Sequence, residues 1–272
     1  MSPVLAVAIK EFQDGIRNRW LVSITLVFAL LSLGLSYYGA AASGALAPIP
    51  LSSTLASLAS LAVFLIPLIA LLLSYDSFVG EQESGTLLLL LTYPLSHTQL
   101  LLGKFFGQGS IISLATLLGF GSAALVLVLQ TDTAGVIPAF GLFILTSALL
   151  GLCFIAIAFV ISLSVAEKSR AAGIALIVWF IFVLVFDLAL LAFLVGSEQG
   201  AAQDVLVDVM MLNPTDLFRI INLAALDTKD VNGVLAVAIN ANTPAYALWG
   251  SMLAWVLVPL GLAAAIFRKK TL

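Results

Sequence analysis

Charged residues and metal-binding residues are both scarce in this chain. Of its 272 residues only 9% are charged, and cysteine and histidine occur once each, as Cys153 and His97. One cysteine cannot form a disulfide within the chain, and no Cys or His pair has the spacing of a zinc or redox site. We therefore expect no metal site, and we interpret Cys153 as a small packing residue.

A nucleotide-binding loop is also missing. Gly103-Lys104 is followed by phenylalanine, and no glycine precedes it at the spacing of a phosphate-binding loop. The chain alone is therefore not expected to be an enzyme or to hydrolyse ATP, and we expect no cofactor in it. An intramembrane enzyme would need a cluster of His, Asp or Glu at one membrane face, which the apolar stretches lack. We also expect no nucleic-acid partner.

Apolar residues are abundant instead and make up 62% of the chain. A water-soluble protein needs a more charged exterior, so lipid must be the solvent for much of this one. A helix needs about 20 mostly apolar residues to cross a bilayer. The chain is predicted to be a single all-α integral membrane domain, 1–272, with six spans near 21–38, 55–74, 105–129, 139–165, 173–195 and 245–267.

The positive charges predict the orientation of these spans. With a cytoplasmic N-terminus, nine of the eleven lysines and arginines lie inside, and only Arg219 and Lys229 lie outside. We expect a multi-pass protein of a bacterial inner membrane with both termini in the cytoplasm. The nine inner residues are Lys10, Arg17, Arg19, Lys104, Lys168, Arg170, Arg268, Lys269 and Lys270.

The first residues predict a helix on the inner surface of the membrane. Leu5, Ile9, Phe12 and Ile16 recur at helical spacing, with charged residues elsewhere on the wheel. Such a helix would lead into the first span at Trp20, and a disordered tail is the alternative. Further along, Gly103 and Gly107 have a spacing that permits close helix approach, although glycines facing lipid would look the same.

The outer segment 196–243, between the fifth and sixth spans, predicts short amphipathic helices that lie on the outer leaflet or dip into it. Asn213-Pro214 breaks them, and Thr215 can cap the next helix. Asp187 is the one charge inside a span. An intramembrane carboxylate is costly and a functional candidate by default, but a hydrogen-bonded structural role is an equal alternative.

A compact polar segment, 75–104, joins the second and third spans on the inner side. Its order is acids, a Gly-Thr break, a leucine-rich turn and a proline stop, which we interpret as a short amphipathic helix at the membrane surface. Acids before a helix complement its dipole and offer polar contacts to a soluble partner. The residues expected to make up this contact are Asp76, Glu81, Glu83, Gly85, Thr86 and Pro94. A merely solvated loop is the alternative.

Glu81, Gly85-Thr86, Pro94 and Gly103-Lys104 resemble the cytoplasmic loop of ABC-2 type permeases, the six-span subunits of many ABC transporters. The surface helix and the outer amphipathic segment fit that family as well. The resemblance implies that a separate ATPase, which carries ATP and magnesium, docks on the inner helices. The loop after the second span would be its coupling helix.

Within that family, the permeases of nitrous oxide reductase maturation systems are similar at further places. This resemblance implies a homodimer in membrane lipid, a NosF-like cytoplasmic ATPase, a NosD-like periplasmic copper-related protein, and a role in copper-site assembly during denitrification. The predicted contact with the periplasmic partner or the dimer mate consists of Asn213, Pro214, Asp216, Arg219 and Asn222. The stretches that carry this similarity are Lys10-Glu11, Asp14-Gly15, Arg17 to Trp20, Leu89 to Leu95, Phe186 to Leu188, Asn213 to Asp216, Arg219 and Ile221 to Leu223.

Two questions about the transported species stay open at this point. An ABC-2 exporter of an unrelated small or lipid-like substrate would use the same loop chemistry. A copper carrier, in contrast, should line its path with Cys, Met or His. With one Cys, one His and four Met, we hypothesise that the chain relays an ATP-driven shape change and does not conduct bare copper.

Overall fold

The computed structural model describes residues 2–42, 51–130, 133–196, 201–224 and 244–270, and within these residues every regular element is helical. Five helical stretches are long and apolar enough to cross a membrane. A sixth is added if the bent pair formed by the first two helices counts as one span. The prediction of an all-α membrane protein is therefore confirmed, and the described helices allow five or six spans. Residues 131–132 lie outside the described part, as do residues 197–200 and 225–243 of the predicted outer segment.

The helices run in the following order. They are α1 (Pro3–Arg17), α2 (Trp20–Ala42), α3 (Leu51–Ser74), α4 (Val79–Glu83), α5 (Thr86–Thr92), α6 (His97–Gln130), α7 (Thr133–Ser164), α8 (Lys168–Phe180), a π-helical turn (Ile181–Val185), α9 (Phe186–Gly196), α10 (Ala201–Met210), α11 (Pro214–Ala224) and α12 (Ala245–Lys269). The π-helical turn joins α8 and α9 into one continuous stretch, which we call span 5.

Helix α1 begins where the sequence supplies a capping residue. The Ser2 hydroxyl accepts a hydrogen bond from the Leu5 amide at 3.4 Å, and Pro3 occupies the first turn, where its missing N–H costs nothing. Arg19 then adopts a positive φ of 59°, and the helix axis turns by 63° into α2. Residues 3–17 are helical, so the disordered-tail alternative does not hold.

One face of α1 packs on α6 at very short range. A β-carbon built on Gly103 would meet the Val7 side chain at 2.5 Å, and one on Gly107 would meet the Glu11 β-carbon at 2.5 Å. The glycines therefore allow close helix approach and do not face lipid. The opposite face of α1, with Leu5, is exposed, as a helix lying against lipid requires.

Helices α6 and α7 form the centre of the bundle. Helix α6 packs against α1, α2 and α7, and α7 packs against α3 and α12. Both helices begin before the predicted spans, α6 at His97 and α7 at Thr133, so they extend beyond the apolar stretch. The core between them contains stacked and edge-on aromatic rings, such as Phe120 on Phe143 with centroids 5.0 Å apart.

Helix α11 is inserted into the bundle. Nine of its eleven residues are buried, and it contacts α3, α7, α12 and the π-helical turn. The structure shows that α11 packs among the other helices, and its depth in the outer leaflet stays a prediction. Its polar residues need partners inside the protein, which bears directly on the residues described next.

Candidate functional site

The polar segment after α3 folds into two short helices that meet at a left-handed glycine. Gly85 has φ of +73°, a conformation that side chains disfavour, and it links α4 to α5. The Thr86 hydroxyl donates to the Glu81 carbonyl at 3.3 Å and lies 2.9 Å from the Ser84 hydroxyl. These bonds fix the angle between α4 and α5. Gly85-Thr86 is thus the turn that presents α5.

A buried lysine binds this segment to the rest of the protein. Lys104 on α6 is only 2% exposed, and its Nζ donates to Glu11 Oε1 at 2.9 Å and to Glu81 Oε1 at 2.7 Å. The Gln108 amide donates to the Ser77 hydroxyl at 2.7 Å and more weakly to Glu11 at 3.4 Å. We call Glu11, Ser77, Glu81, Lys104 and Gln108 the Lys104 cluster. It ties α1 and α4 to α6.

The Lys104 cluster contains one base between two acids, and not all of its acceptors are used. Glu81 Oε2 and Gln108 Oε1 are buried and have no hydrogen-bond partner among the described residues. A cleft of about 380 Å³ opens beside the cluster and extends to Asp14, Asp76 and Lys168. Partly satisfied buried polar groups are costly, so small movements of α4 would change the energy of this cluster strongly.

A second lysine connects the same segment to span 5. Lys168 is the first residue of α8, and its Nζ lies 2.7 Å from Asp76 Oδ2. Its backbone N–H also donates to Glu83 Oε1 at 2.6 Å. A carboxylate at this position complements the positive end of the helix dipole. Both acids were predicted to contact an ATPase; the structure brings them together on the start of span 5, and the ATPase contact stays a prediction.

The surface that the segment leaves exposed is largely apolar. Leu88, Leu89 and Tyr93 are 56%, 64% and 64% exposed, and Thr86 and Pro94 are exposed beside them. Sequence reasoning named the acids and missed these leucines. The signal was present, because Leu87 to Leu91 is an apolar run outside any span. An apolar ridge on a short helix is typical of a protein-binding surface.

A second charged cluster joins span 5 to α11. The Arg219 guanidinium donates through Nη1 to Asp187 Oδ2 at 2.7 Å and Oδ1 at 2.9 Å, and to Asp216 Oδ1 at 3.2 Å. Asp187 therefore has a structural partner, which is one of the two roles left open for it. The other role, in transport, is untested.

The π-helical turn provides the next contact of this cluster. A π turn interrupts the regular i→i−4 ladder, and the Phe182 carbonyl accepts from Asn213 Nδ2 at 2.9 Å and from the Thr215 hydroxyl at 3.3 Å. Asn213 Oδ1 in turn accepts from the Thr215 amide at 3.0 Å, so Asn213 caps α11. The prediction that Thr215 is the cap is wrong, because the Asn213 side chain occupies that position.

We call Phe182, Asp187, Asn213, Thr215, Asp216 and Arg219 the Arg219 cluster. Burial and the nearby Asp187 charge together raise the pKa of the Asp216 carboxyl to about 7, although Arg219 opposes the shift. Two acids next to one base leave one negative charge in excess. A proton on Asp216 removes that excess.

The five residues predicted to contact a periplasmic partner or dimer mate have internal contacts. Asn213, Pro214, Asp216 and Asn222 are buried, and Arg219 is nearly so, with a side chain 15% exposed. Asn222 donates to the Thr146 hydroxyl of α7 at 2.8 Å. No finding tests the predicted partner contact of these side chains. The neighbouring exposed residues are Asp208 and Leu212.

Comparison with known proteins decides the family. Residues 5–272 match the family described as ABC-2 family transporter protein. The chain belongs to this ABC-2 transporter family. It is also 53% identical over 274 residues to the "Probable ABC transporter permease protein NosY" of Stutzerimonas stutzeri, with 99% of each chain covered. The protein of the same name from Pseudomonas aeruginosa is 52% identical over 273 residues, again with 99% of each chain covered.

The family gives the geometry a context. An ABC-2 permease is the membrane subunit of an ABC transporter, so the chain is a multi-pass inner-membrane permease. Among the described residues, no group of three or more His, Cys, Asp or Glu side chains is arranged to hold a metal ion. Within this ABC-2 permease, the two charged clusters and the exposed α5 ridge are the candidate functional features.

Proposed function

We propose that this permease couples ATP hydrolysis by a separate cytoplasmic ATPase to a periplasmic partner during copper-site maturation of nitrous oxide reductase. The ATPase is NosF-like and the periplasmic protein NosD-like, and two copies of the permease form the membrane unit. In this arrangement both termini and the α4–α5 segment lie in the cytoplasm, and α10 and α11 lie at the periplasmic side. The full-length similarity to two NosY permeases supports the proposal.

The observation that supports the coupling role is an exposed apolar ridge on α5, in a segment that ion pairs and hydrogen bonds attach to α6 and α8. Leu88, Leu89 and Tyr93 would enter an apolar groove of the ATPase. Asp76, Glu81 and Glu83 would act behind them, since their ion pairs and hydrogen bonds connect the ridge to α6 and α8. A docked ATPase that moves the ridge would therefore pull on two spans at once.

Gly85→Pro tests the coupling role most directly. Proline fixes φ near −65°, so it cannot adopt the +73° of Gly85, and the α5 ridge would lose its orientation. We expect loss of ATPase co-purification and loss of copper from the reductase in cells that carry this variant. Gly85→Asn is the matched control, because asparagine tolerates the left-handed region, and it should retain both.

The two readouts separate the possible failures. If Gly85→Pro leaves ATPase binding and reductase copper unchanged, the coupling assignment is wrong. If ATPase binding is lost while the reductase keeps its copper, the coupling role stands and the chain serves another export process, which is the alternative of a small or lipid-like substrate.

The scarcity of soft ligands supports a relay of shape change in place of copper conduction. Cys153 is fully buried in α7 with its thiol near the Met252 carbonyl at 3.7 Å, and Met211 Sδ lies 3.6 Å from the Ser251 hydroxyl. ATP-dependent uptake of copper into vesicles that hold only the permease and its ATPase would contradict the relay.

A further inference from the structure

Of the five single candidate spans among the described residues, α12 is 22% buried in its most apolar window and span 5 is the least buried. In its most apolar window only 17% of the residues are buried, against 61% for the Gly135–Ser164 stretch of α7. Its buried residues are Ala171, Ala175, Val183 and Leu190, two of which are alanines. Lipid solvates an apolar side chain about as well as another helix does, so displacement of this span costs little packing energy.

Polar contacts hold the loosely packed span at three places, and charged residues make the contacts at two of them. At its start, Lys168 binds Asp76 and Glu83 of the α4–α5 segment. Near its far end, Asp187 binds Arg219, and the Phe182 carbonyl binds the cap of α11. Between these two, the Trp179 indole N–H donates to the Phe64 carbonyl of α3 at 3.0 Å. Lys168 and Asp187 are 19 residues apart, which corresponds to roughly 28 Å along a helix.

We propose that span 5 is the element that carries a displacement of the α4–α5 segment to α11, with the Lys168 contacts as its first joint and the Asp187–Arg219 pair as its second. This inference rests on the proposed function, because the ATPase supplies the displacement. Asp187 and Arg219 are positioning residues in this mechanism. Their ion pair fixes the rotation and the axial position of α11 relative to span 5.

The electrostatics favour a stiff second joint. Arg219 presents one guanidinium nitrogen to both oxygens of Asp187, and its side chain is 15% exposed. Charge-assisted hydrogen bonds shielded from water are shorter and stronger than neutral ones. Breaking the pair leaves Arg219 with Asp216 as its remaining carboxylate and leaves Asp187, whose side chain is 34% exposed, without its base. Helix α11 therefore follows span 5 more readily than it separates from it.

A competing route runs through α6. The Lys104 cluster ties α4 to α6, and α6 packs along α7, which contacts α11 through Asn222 and Thr146. This route has no dependence on Asp187. A change at Asp187 therefore separates the two routes while the inner contacts stay intact.

The experiment measures two distances in the complete complex of permease and ATPase in lipid nanodiscs. Spin-label pairs in a Cys153→Ala background would be Arg170 with Phe106 for the start of span 5, and Ala224 with Ile137 for α11. All four label positions are exposed. Labelled chains are diluted with unlabelled ones, so that the distances arise within one chain.

In the otherwise unchanged protein we expect both distances to change by about 2 Å or more between the nucleotide-free and ATP-trapped states, the scale of helix shifts at interfaces. With Asp187→Leu the first distance should change as before, and the change at α11 should fall by at least half. Asp187→Glu keeps the charge and should restore most of the α11 change. Asp208→Asn removes an exposed carboxylate nearby and should alter neither distance.

Each other outcome counts against the inference. If Asp187→Leu leaves the α11 change intact, span 5 does not carry it. If the unchanged protein shows movement at span 5 but none at α11, the inference fails while the coupling role stands. If neither distance responds to ATP although the ATPase is bound, both proposals fail. ATPase co-purification with Asp187→Leu verifies that this variant is folded.

Discussion

The two charged clusters share one plan and differ in how they satisfy it. Each places a single base between two carboxylates: Lys104 between Glu11 and Glu81, and Arg219 between Asp187 and Asp216. Lys104 joins three elements and is almost completely buried, whereas Arg219 joins two and faces an Asp187 whose side chain is 34% exposed. In the Lys104 cluster, compensation of the carboxylate charges therefore depends on the lysine. The Arg219 cluster can also reduce its negative charge by binding a proton.

Replacing the base of each cluster gives the largest expected effect. Lys104→Met leaves two largely buried carboxylates, with side chains 12% and 18% exposed, next to each other without their base. Breaking a buried ion pair in this way costs about 3–5 kcal/mol. Arg219→Met should cost less, because Asp216 already holds a proton readily and Asp187 is partly exposed. Thermal unfolding in detergent measures both variants.

Lys10→Met is the control for this pair, since the Lys10 side chain is 52% exposed and its ion pairs are weak. If Arg219→Met lowers the unfolding temperature as much as Lys104→Met does, the two clusters do not differ as described.

Disturbing the close contact of α1 with α6 at Gly107 should give the next largest loss of stability. In Gly107→Ala the new methyl group would lie 2.8 Å from the Ala8 carbonyl oxygen and 2.5 Å from the Glu11 β-carbon. Helix α1 must shift away, and overpacking of this kind costs about 1–3 kcal/mol. Gly121→Ala, where the methyl meets open space, should leave the unfolding temperature unchanged. If the two variants have the same unfolding temperature, the close contact at Gly107 does not determine the position of α1.

A pH titration probes the Arg219 cluster. The folded pKa of Asp216, about 7, lies above the value of about 4 for an aspartate in an unfolded chain. The folded state therefore holds more protons between these values, and the free energy of unfolding contributed by Asp216 falls as pH rises from about 4 to about 7.

The measurement compares the unfolding temperature at both ends of this window for the unchanged protein and for Asp216→Asn. The variant should lose this part of the pH dependence. We expect the lost change in unfolding temperature to be smaller than the change that Lys104→Met causes. A pH profile that is unchanged by Asp216→Asn would show that the carboxyl of Asp216 does not titrate in this window.

The turn at Gly85 gives the smallest effect on stability. Gly85→Ala meets no neighbour within 4 Å, so only the strain of a left-handed alanine remains, about 1 kcal/mol. Unfolding measurements should detect this small loss, and Gly85→Asn should lose less. A loss as large as that of Gly107→Ala would indicate a contact of the turn beyond its backbone conformation.

The spans were predictable because long apolar runs need no knowledge of their neighbours. The partners of the charged residues were not, because 93 residues separate Glu11 from Lys104 and 32 separate Asp187 from Arg219. Lys104 was counted only as a charge on the inner side, and the structure shows that it is buried between Gly103 and Gly107 in the sequence. A lysine flanked by glycines at close-approach spacing is the signal that could have placed it inside.

The acids of the α4–α5 segment show the same limit. Asp76, Glu81 and Glu83 were predicted correctly as members of one polar segment, but their partners lie on α6 and α8 and depend on tertiary packing. The leucines of α5 were placed in the same inner segment but were not named among its contact residues. Only the fold shows that Leu88 and Leu89 are exposed.

The π-helical turn in span 5 determines the rotational register of everything that follows it. It adds one residue relative to a continuous α-helix, so Asp187 faces a direction about 100° away from where a helical wheel drawn from Lys168 would place it. Deleting one residue from Ile181–Val185 would repair the hydrogen-bond ladder and at the same time turn the carboxylate away from Arg219. The irregularity in the backbone is thus what aims the one intramembrane acid at its base.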